Sequence, residues 1–257
     1  MLKTFNAQTA IVTGAGTGIG FEIARQLALS GAAVLLNDLD EKLAEKAAHS
    51  IAGEGGSVFF VAGDVSDLAV IQKLVDTAVE KTGKLDIAIA NAGITTFGDF
   101  FEYSQEHFQK LVSVNLQGSF FLAQFAARQM REQGTGGRIL FVSSVTGRQA
   151  HRHLAAYGMT KAGLQMLAKG LVPELSPFHI TVNAIAPGAT VTERTLKDDP
   201  GYPEIWQKLS PTGRASTPGD VAQAALFLVS PAAGQITGQT LVVDGGWSSV
   251  SPEPPFE

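Results

Sequence analysis

A tyrosine and a lysine stand four positions apart in Tyr157-Gly158-Met159-Thr160-Lys161, and Ser144 lies thirteen residues upstream. Residues at i and i+4 share one face of a helix. An ammonium beside a phenol favours the phenolate by Coulomb attraction, so such a pair can take and return a proton. A hydroxyl such as that of Ser144, leaving a strand end, can hold a substrate oxygen. Alone, Tyr-x-x-x-Lys is equally the pattern of a solvated helix face, and its surroundings decide between the two.

A second group of residues is suited to anions. Thr13-Gly14-Ala15-Gly16-Thr17-Gly18-Ile19-Gly20 follows an apolar run and opens a helical one. Glycines let a backbone turn tightly and approach a pyrophosphate, while the following helix aims its first N–H groups at the charge. The spacing is G-x-x-x-G-x-G rather than G-x-G-x-x-G. Asp38 follows Gly20 by eighteen residues. A carboxylate there can accept from both hydroxyls of an adenosine ribose and would repel a 2′-phosphate. Asp64-Val65 and Asn91-Ala92-Gly93 close two further apolar runs. Taken singly, the glycine loop, Asp38 and these pairs are also ordinary turn chemistry.

The elements that must hold these residues alternate along the chain. Apolar, β-rich runs fall at Thr9–Thr13, Ala33–Asp38, Val58–Ala62, Leu85–Ala90, Arg138–Ser143, Thr181–Ala186 and Thr240–Val243. Most are continuously apolar, as in strands buried on both faces of a parallel sheet. Helical patterns fill the gaps at Gly18–Ser30, Glu41–Glu54, Asp67–Thr82, Gln105–Gln133, Ala156–Ser176 and Pro218–Val229. This alternation predicts a doubly wound α/β sheet in a single domain. In such sheets ligands bind at the carboxyl ends of strands, where the glycine loop, Asp38, Asp64-Val65 and Asn91-Ala92-Gly93 lie. Pro173 inside the fifth helical pattern predicts a kink or break. Pro187 to Pro218 is long and proline-punctuated, the mark of a functional lid or a disordered stretch.

Composition narrows the function classes. The chain has 257 residues, 45% of them hydrophobic, and no Cys, which removes disulfides, thiolate metal sites and Cys nucleophiles. A net charge of −5 without a basic run argues against nucleic acid. No apolar stretch approaches the ~18 residues of a membrane span. Met1 to Gln8 is too short and polar for a secretory leader. The expected location is cytoplasmic. The expected organisation is a catalytic domain over 1–247 and a Pro-rich, extended tail over 248–257. His151 and His153 lack a third ligand nearby, so no metal is expected, and they read as loop residues beside the site. Phe97, Phe100 and Phe101 read as packing or as pocket lining.

These motifs, in this order, resemble the short-chain dehydrogenase/reductase family of the single-domain type. The matching residues are Thr13-Gly14-x-x-x-Gly18-Ile19-Gly20, Asp38, Asp64, Asn91-Ala92-Gly93, Asn115, Ser144, Tyr157-x-x-x-Lys161, Pro187-Gly188 and Thr192. The resemblance implies a Rossmann-type sheet of seven parallel strands in the order 3-2-1-4-5-6-7. It implies that Tyr157 is the acid/base, Ser144 holds the substrate oxygen, and Lys161 binds the nicotinamide ribose and favours the phenolate. Asn115 would support a water in the proton relay. Gly14, Thr17, Gly18, Ile19, Gly20, Asp38, Asp64, Val65, Asn91, Ala92 and Gly93 would bind the cofactor. Pro187, Gly188, Thr190 and Thr192 would place its carboxamide, Thr190 departing from the aliphatic residue common in relatives.

The implied cofactor is NAD and the implied reaction a hydride transfer with a secondary alcohol or ketone. Ile236-Thr237-Gly238-Gln239 and Val243-Asp244-Gly245-Gly246 resemble both bacterial sugar dehydrogenases and 3-oxoacyl carrier-protein reductases. A carrier protein calls for a basic docking surface. Arg128, Arg131 and Arg138 are available, but 172–179 holds no Arg or Lys, which favours a sugar or other small polar alcohol. A non-catalytic dinucleotide-binding regulator is a further reading, opposed by the intact Ser144, Tyr157 and Lys161. The small residues Ala155, Ala156, Gly158, Ala162 and Gly163 fit a subunit-joining helix face. With the last strand they imply a homotetramer.

Overall fold

The computed structural model describes residues 4–251. Strands β1 (Thr9–Val12), β2 (Ala33–Asp38), β3 (Ser57–Ala62), β4 (Ile87–Ala90), β5 (Gly137–Val142), β6 (Ile180–Pro187) and β7 (Thr240–Val243) form one sheet. Its order is β3-β2-β1-β4-β5-β6-β7, and every pairing is parallel. The alternation of elements predicted the doubly wound sheet, and the family resemblance implied its seven parallel strands in this order.

The helices are α1 (Gly18–Leu29), α2 (Glu41–Gly53), α3 (Leu68–Thr82), α4 (Gln105–Val112), α5 (Ser119–Gln133), α6 (Ala155–Gly170), α7 (Val172–Leu175), α8 (Glu193–Asp198), α9 (Tyr202–Leu209) and α10 (Pro218–Val229). Asp40 and Asp67 cap α2 and α3 by accepting from backbone N–H groups of the first turn.

Continuous apolarity in the strands reflects two cores. Ala10 and Val12 of β1 and Val34 and Leu36 of β2 face one layer, with Ile23 and Leu27 of α1 and Val221 and Leu228 of α10. Ile11 and Leu35, one position along, face the other layer with Leu74 of α3 and Leu122 of α5. The period of two survives as a choice of core, because both faces are covered. Fully burying each such Val, Leu or Ile side chain contributes roughly 1.5–3 kcal/mol, so the inner strands are fixed from both sides and their ends can carry polar residues.

Three local departures bear on the site. The helix read over Gln105–Gln133 is interrupted by a π-helical stretch, Ser113–Gly118, joining α4 to α5. Pro173 does break the fifth helical pattern: α6 stops at Gly170, and α7 restarts with the proline in its first turn. The proline-punctuated 187–218 stretch is not bare loop but contains α8 and α9, the first opened by a Thr192/Thr195 capping box. Beyond β7, Trp247–Ser249 makes a tight 3-10 turn, with the Ser248 N–H donating to Asp244 Oδ2 at 2.8 Å. The first residues of the expected tail therefore belong to the folded body. Residues 252–257 lie outside those described.

Candidate active site

The strand order reverses direction between β1 and β4, which opens a crevice above their carboxyl ends. A cleft of about 460 Å³ occupies it, running from Asp38 past the glycine loop to Tyr157 and Gly188.

The glycine loop is clamped rather than loose. Asn91 Nδ2 donates to the Thr13 and Gly14 carbonyls at 2.9 and 2.8 Å, and Thr13 Oγ1 accepts from the Asn91 and Ala92 N–H groups. A Cβ at Gly20 would collide with Asn91 Nδ2 and the Gly14 carbonyl. Gly14 has φ +60°, and a Cβ there would lie 2.7 Å from Ala92 Cα. Glycine is thus required on both steric and dihedral grounds. Asn91 acts here on the loop itself. Asn37, which was not singled out from the sequence, supports the same edge: it is buried, and its Nδ2 donates to the Val61 and Gly63 carbonyls.

At the cleft's far end Asp38 Oδ2 accepts from the Gly16 N–H at 2.9 Å and Oδ1 from Asp40 N–H at 3.1 Å. Asp64 accepts from the Ser66 N–H and hydroxyl and pairs with Lys110 at 3.3 Å. Burial pushes the Asp64 carboxyl up, but these hydrogen bonds and the ammonium outweigh it and hold it below the ordinary value.

The end of the cleft that holds Tyr157, Lys161 and Ser144 is built on α6 and the β5 terminus. The Lys161 ammonium is buried, donates to the Val142 carbonyl at 2.9 Å, and lies 5.6 Å from the centroid of the Tyr157 ring. Burial pushes Lys161 below its ordinary value, Tyr157 opposes that, and Arg194 adds to it. Gly93 leaves the space this requires, since a Cβ there would stand 3.2 Å from Lys161 Nζ. Ser144 Oγ meets the Thr146 N–H and hydroxyl, and Gln165 Nε2 holds the turn through Ser143 Oγ and the Ser144 carbonyl.

Asn115 sits in the π-helical stretch, fully buried. Its side chain accepts from the Ile94 N–H at 2.8 Å and donates to the Ile94 carbonyl and Thr160 hydroxyl. It does not line the cleft but holds the turn that does. A π turn commonly marks such functional positions.

Gly14, Thr17, Gly18, Ile19, Gly20, Asp38, Asp64, Val65, Asn91, Ala92, Gly93, Ser144, Tyr157, Lys161, Pro187, Gly188, Thr190 and Thr192 all line the cleft. Arg194 and Tyr202, from α8 and α9, join them without having been anticipated. Burial pushes the Tyr202 phenol up, against a hydrogen bond from the Thr190 backbone and the charge of Arg194. The glycine backbone, the N-terminus of α1 and the carboxylate at one end fit a dinucleotide. Such a group would accept or deliver hydride beside Tyr157, whose hydroxyl is a group that can carry a proton.

Further residues singled out from the sequence lie off the cleft. His151 stacks on Trp247 at 5.2 Å, and Trp247 meets Trp206 of α9 edge-on at 5.0 Å. His153 is exposed and accepts at its carbonyl from the Gly98 N–H. Neither histidine lines the cleft, and no metal-ligand cluster occurs among the described residues. Phe97, Phe100 and Phe101 are exposed and line nothing in it. Part of the small-residue face serves packing within the chain, Gly158 against Thr146 and Gly163 against Leu116.

Comparison with known proteins agrees with this geometry. A family profile described as enoyl-(acyl carrier protein) reductase matches residues 14–248. The chain is 39% identical to an L-rhamnose 1-dehydrogenase (NAD(P)(+)) of Azotobacter vinelandii, covering 93% of this chain and 96% of that one. It is 35% identical to an L-rhamnose-1-dehydrogenase of Scheffersomyces stipitis, over 96% and 98% of the two chains. A crystal structure of a short-chain type dehydrogenase/reductase from Mycobacterium marinum superposes with a TM-score of 0.90 at 32% identity, covering 96% of this chain and 98% of the other. With the Tyr157–Lys161 pair and the glycine loop opening on one cleft, and with relatives matching end to end, the chain belongs to the short-chain dehydrogenase/reductase family.

Proposed function

We propose that this protein is an NAD-dependent dehydrogenase of a sugar or comparable small polar secondary alcohol, working in the cytoplasm as a homotetramer. Tyr157 is the acid/base, Ser144 holds the substrate oxygen, Lys161 binds the nicotinamide ribose, and Asn115 positions the turn beside them. The observation that carries the reading is the Tyr157 ring and Lys161 ammonium, 5.6 Å apart in the same cleft as the glycine loop. The rhamnose dehydrogenases among its relatives support the substrate class. Substrate panels of sugars, polyols and 3-oxoacyl thioesters, followed by nicotinamide absorbance, test it. Turnover of thioesters alone would overturn it.

The thioester arm answers a second reading. Arg148 and Arg152 are exposed on the loop after β5, beside the site, and could meet an acidic carrier. Arg128, Arg131 and Arg138 do not serve that purpose. Arg128 and Arg131 lie near the end of α5, where they cover Phe125 and Phe178, and Arg138 is near the start of β5. All three are at the amino edge of the sheet, away from the cleft.

Cofactor choice falls to Asp38. Its carboxylate, fixed by Gly16 at the end of β2, would face a 2′-phosphate, and like charges so placed repel. Fluorescence titration is expected to give NADH at least about tenfold tighter binding than NADPH, or 1.4 kcal/mol. Tighter NADPH binding would refute the assignment.

Assembly rests on two exposed apolar faces. One carries Phe120, Met159 and Met166 on α5 and α6, and the other Phe227 and Leu241 on α10 and β7. Two self-complementary faces per subunit close into a tetramer. Light scattering at micromolar concentration should give four times the 27.0 kDa chain mass, and a monomer would count against it.

A further inference from the structure

We infer that Arg194 clamps the pyrophosphate of the bound dinucleotide from the side opposite the glycine loop. The α1 N-terminus offers backbone N–H groups but no cation, since Gly18, Ile19, Gly20 and Phe21 make up its first turn. Three acids, Asp38, Asp64 and Glu193, line the same cleft and oppose an anion. Of its cations, Lys110 is paired with Asp64 at 3.3 Å, and Lys161 is buried and donates to the Val142 carbonyl at 2.9 Å. Arg194 is exposed and makes no hydrogen bond or ion pair among the described residues. It is the uncommitted positive charge of the cleft.

Its place in the fold points to the phosphates rather than to the substrate. Thr192, two residues earlier, caps α8 beside the loop: a Cβ at Gly18 would be 3.5 Å from Thr192 Cγ2. Arg194 lines the cleft together with Gly18 and Thr192 of the loop end and with Tyr157 and Lys161, and its charge reaches Lys161 and Tyr202. A pyrophosphate joining two nucleosides must cross the cleft between these two groups of residues. The guanidinium fork matches phosphate oxygens in pairs, which an ammonium cannot do.

The inference rests on dinucleotide binding and is independent of the NAD preference. Asp38 acts on the ratio of NADH to NADPH affinity, whereas both carry the pyrophosphate. Wild type, Arg194→Met and Arg194→Lys would be titrated by calorimetry with NADH, NADPH, ADP-ribose and adenosine. Arg194→Met is expected to weaken the first three by about tenfold to thirtyfold, as for a lost charge-assisted hydrogen bond, and to leave adenosine unchanged. Arg194→Lys should recover part of the loss, and the difference should shrink with added salt. Unchanged NADH and ADP-ribose binding, with a raised KM for acidic substrates only, would assign the side chain to substrate and overturn the proposal. An equal loss for adenosine would overturn it too, as damage to the loop rather than loss of a phosphate contact.

Discussion

Tyr157→Phe is expected to leave a folded protein that binds NADH almost as wild type does and turns over substrate at least about a hundredfold to ten-thousandfold more slowly, the span of a lost general acid–base. The substitution removes one oxygen. The ring remains on α6, and Lys161 keeps its place 5.6 Å from the ring centroid. In alcohol oxidation a proton must leave the hydroxyl as hydride leaves the same carbon, and the deleted phenol is the group positioned to take it. The check is kcat/KM by nicotinamide absorbance on a proven substrate, with NADH affinity and Tm as controls. Wild-type turnover by Tyr157→Phe would put the acid/base elsewhere.

Lys161→Met is expected to damage both chemistry and cofactor binding, and its stability should carry a pH signature that Tyr157→Phe lacks. Loss of the ammonium removes the charge beside Tyr157 and a donor to the nicotinamide ribose. We expect kcat/KM to fall by about a thousandfold, as for a lost electrostatic stabiliser, and NADH affinity by about tenfold. Burial holds the Lys161 ammonium below its ordinary 10.5 in the folded chain. The unfolded chain therefore binds more protons at this position between the depressed value and 10.5, and wild-type stability gains with rising pH over that window. The variant has no such gain. The wild-type Tm should rise relative to that of Lys161→Met as pH climbs towards 10.5. A Tm difference independent of pH would mean that the buried amine is not the group at issue.

The five inner strands were legible because burial on both faces makes them continuous apolar runs, and the half-exposed edge strands β3 and β7 also fall where apolar runs lie. The fourth begins at Ile87 rather than Leu85, since Leu85 is held by Gln133 and Asp86 accepts from the Thr9 N–H. Motif residues at strand ends were legible for the same reason: the ends of buried strands are fixed, and polar residues there stand out. The π stretch was not, because one widened turn barely disturbs a helical period over Gln105–Gln133. Its trace was Gly118, where a Cβ would lie 2.9 Å from the Val65 carbonyl.

The helices α8 and α9 were not legible, because prolines punctuate the stretch that holds them. Pro203 instead occupies the first turn of α9, where a missing N–H costs nothing. The Thr192-x-x-Thr195 spacing was the cap signal available there. Arg194 and Tyr202 were hidden for the same reason. The stack of His151, Trp247 and Trp206 joins three distant segments, and no local pattern announces it.

That stack has an optical consequence. Trp206 and Trp247 are the chain's two tryptophans, and they meet edge to face with centroids 5.0 Å apart. At that separation the two indoles share excitation, and their emission and ultraviolet circular dichroism depend on their mutual angle of 83°. One belongs to α9, the other to the turn after β7. Any displacement of α9 that closes or uncovers the cleft must separate or reorient the pair. The helix that brings Tyr202 to the cleft thus carries its own chromophore, readable without a label.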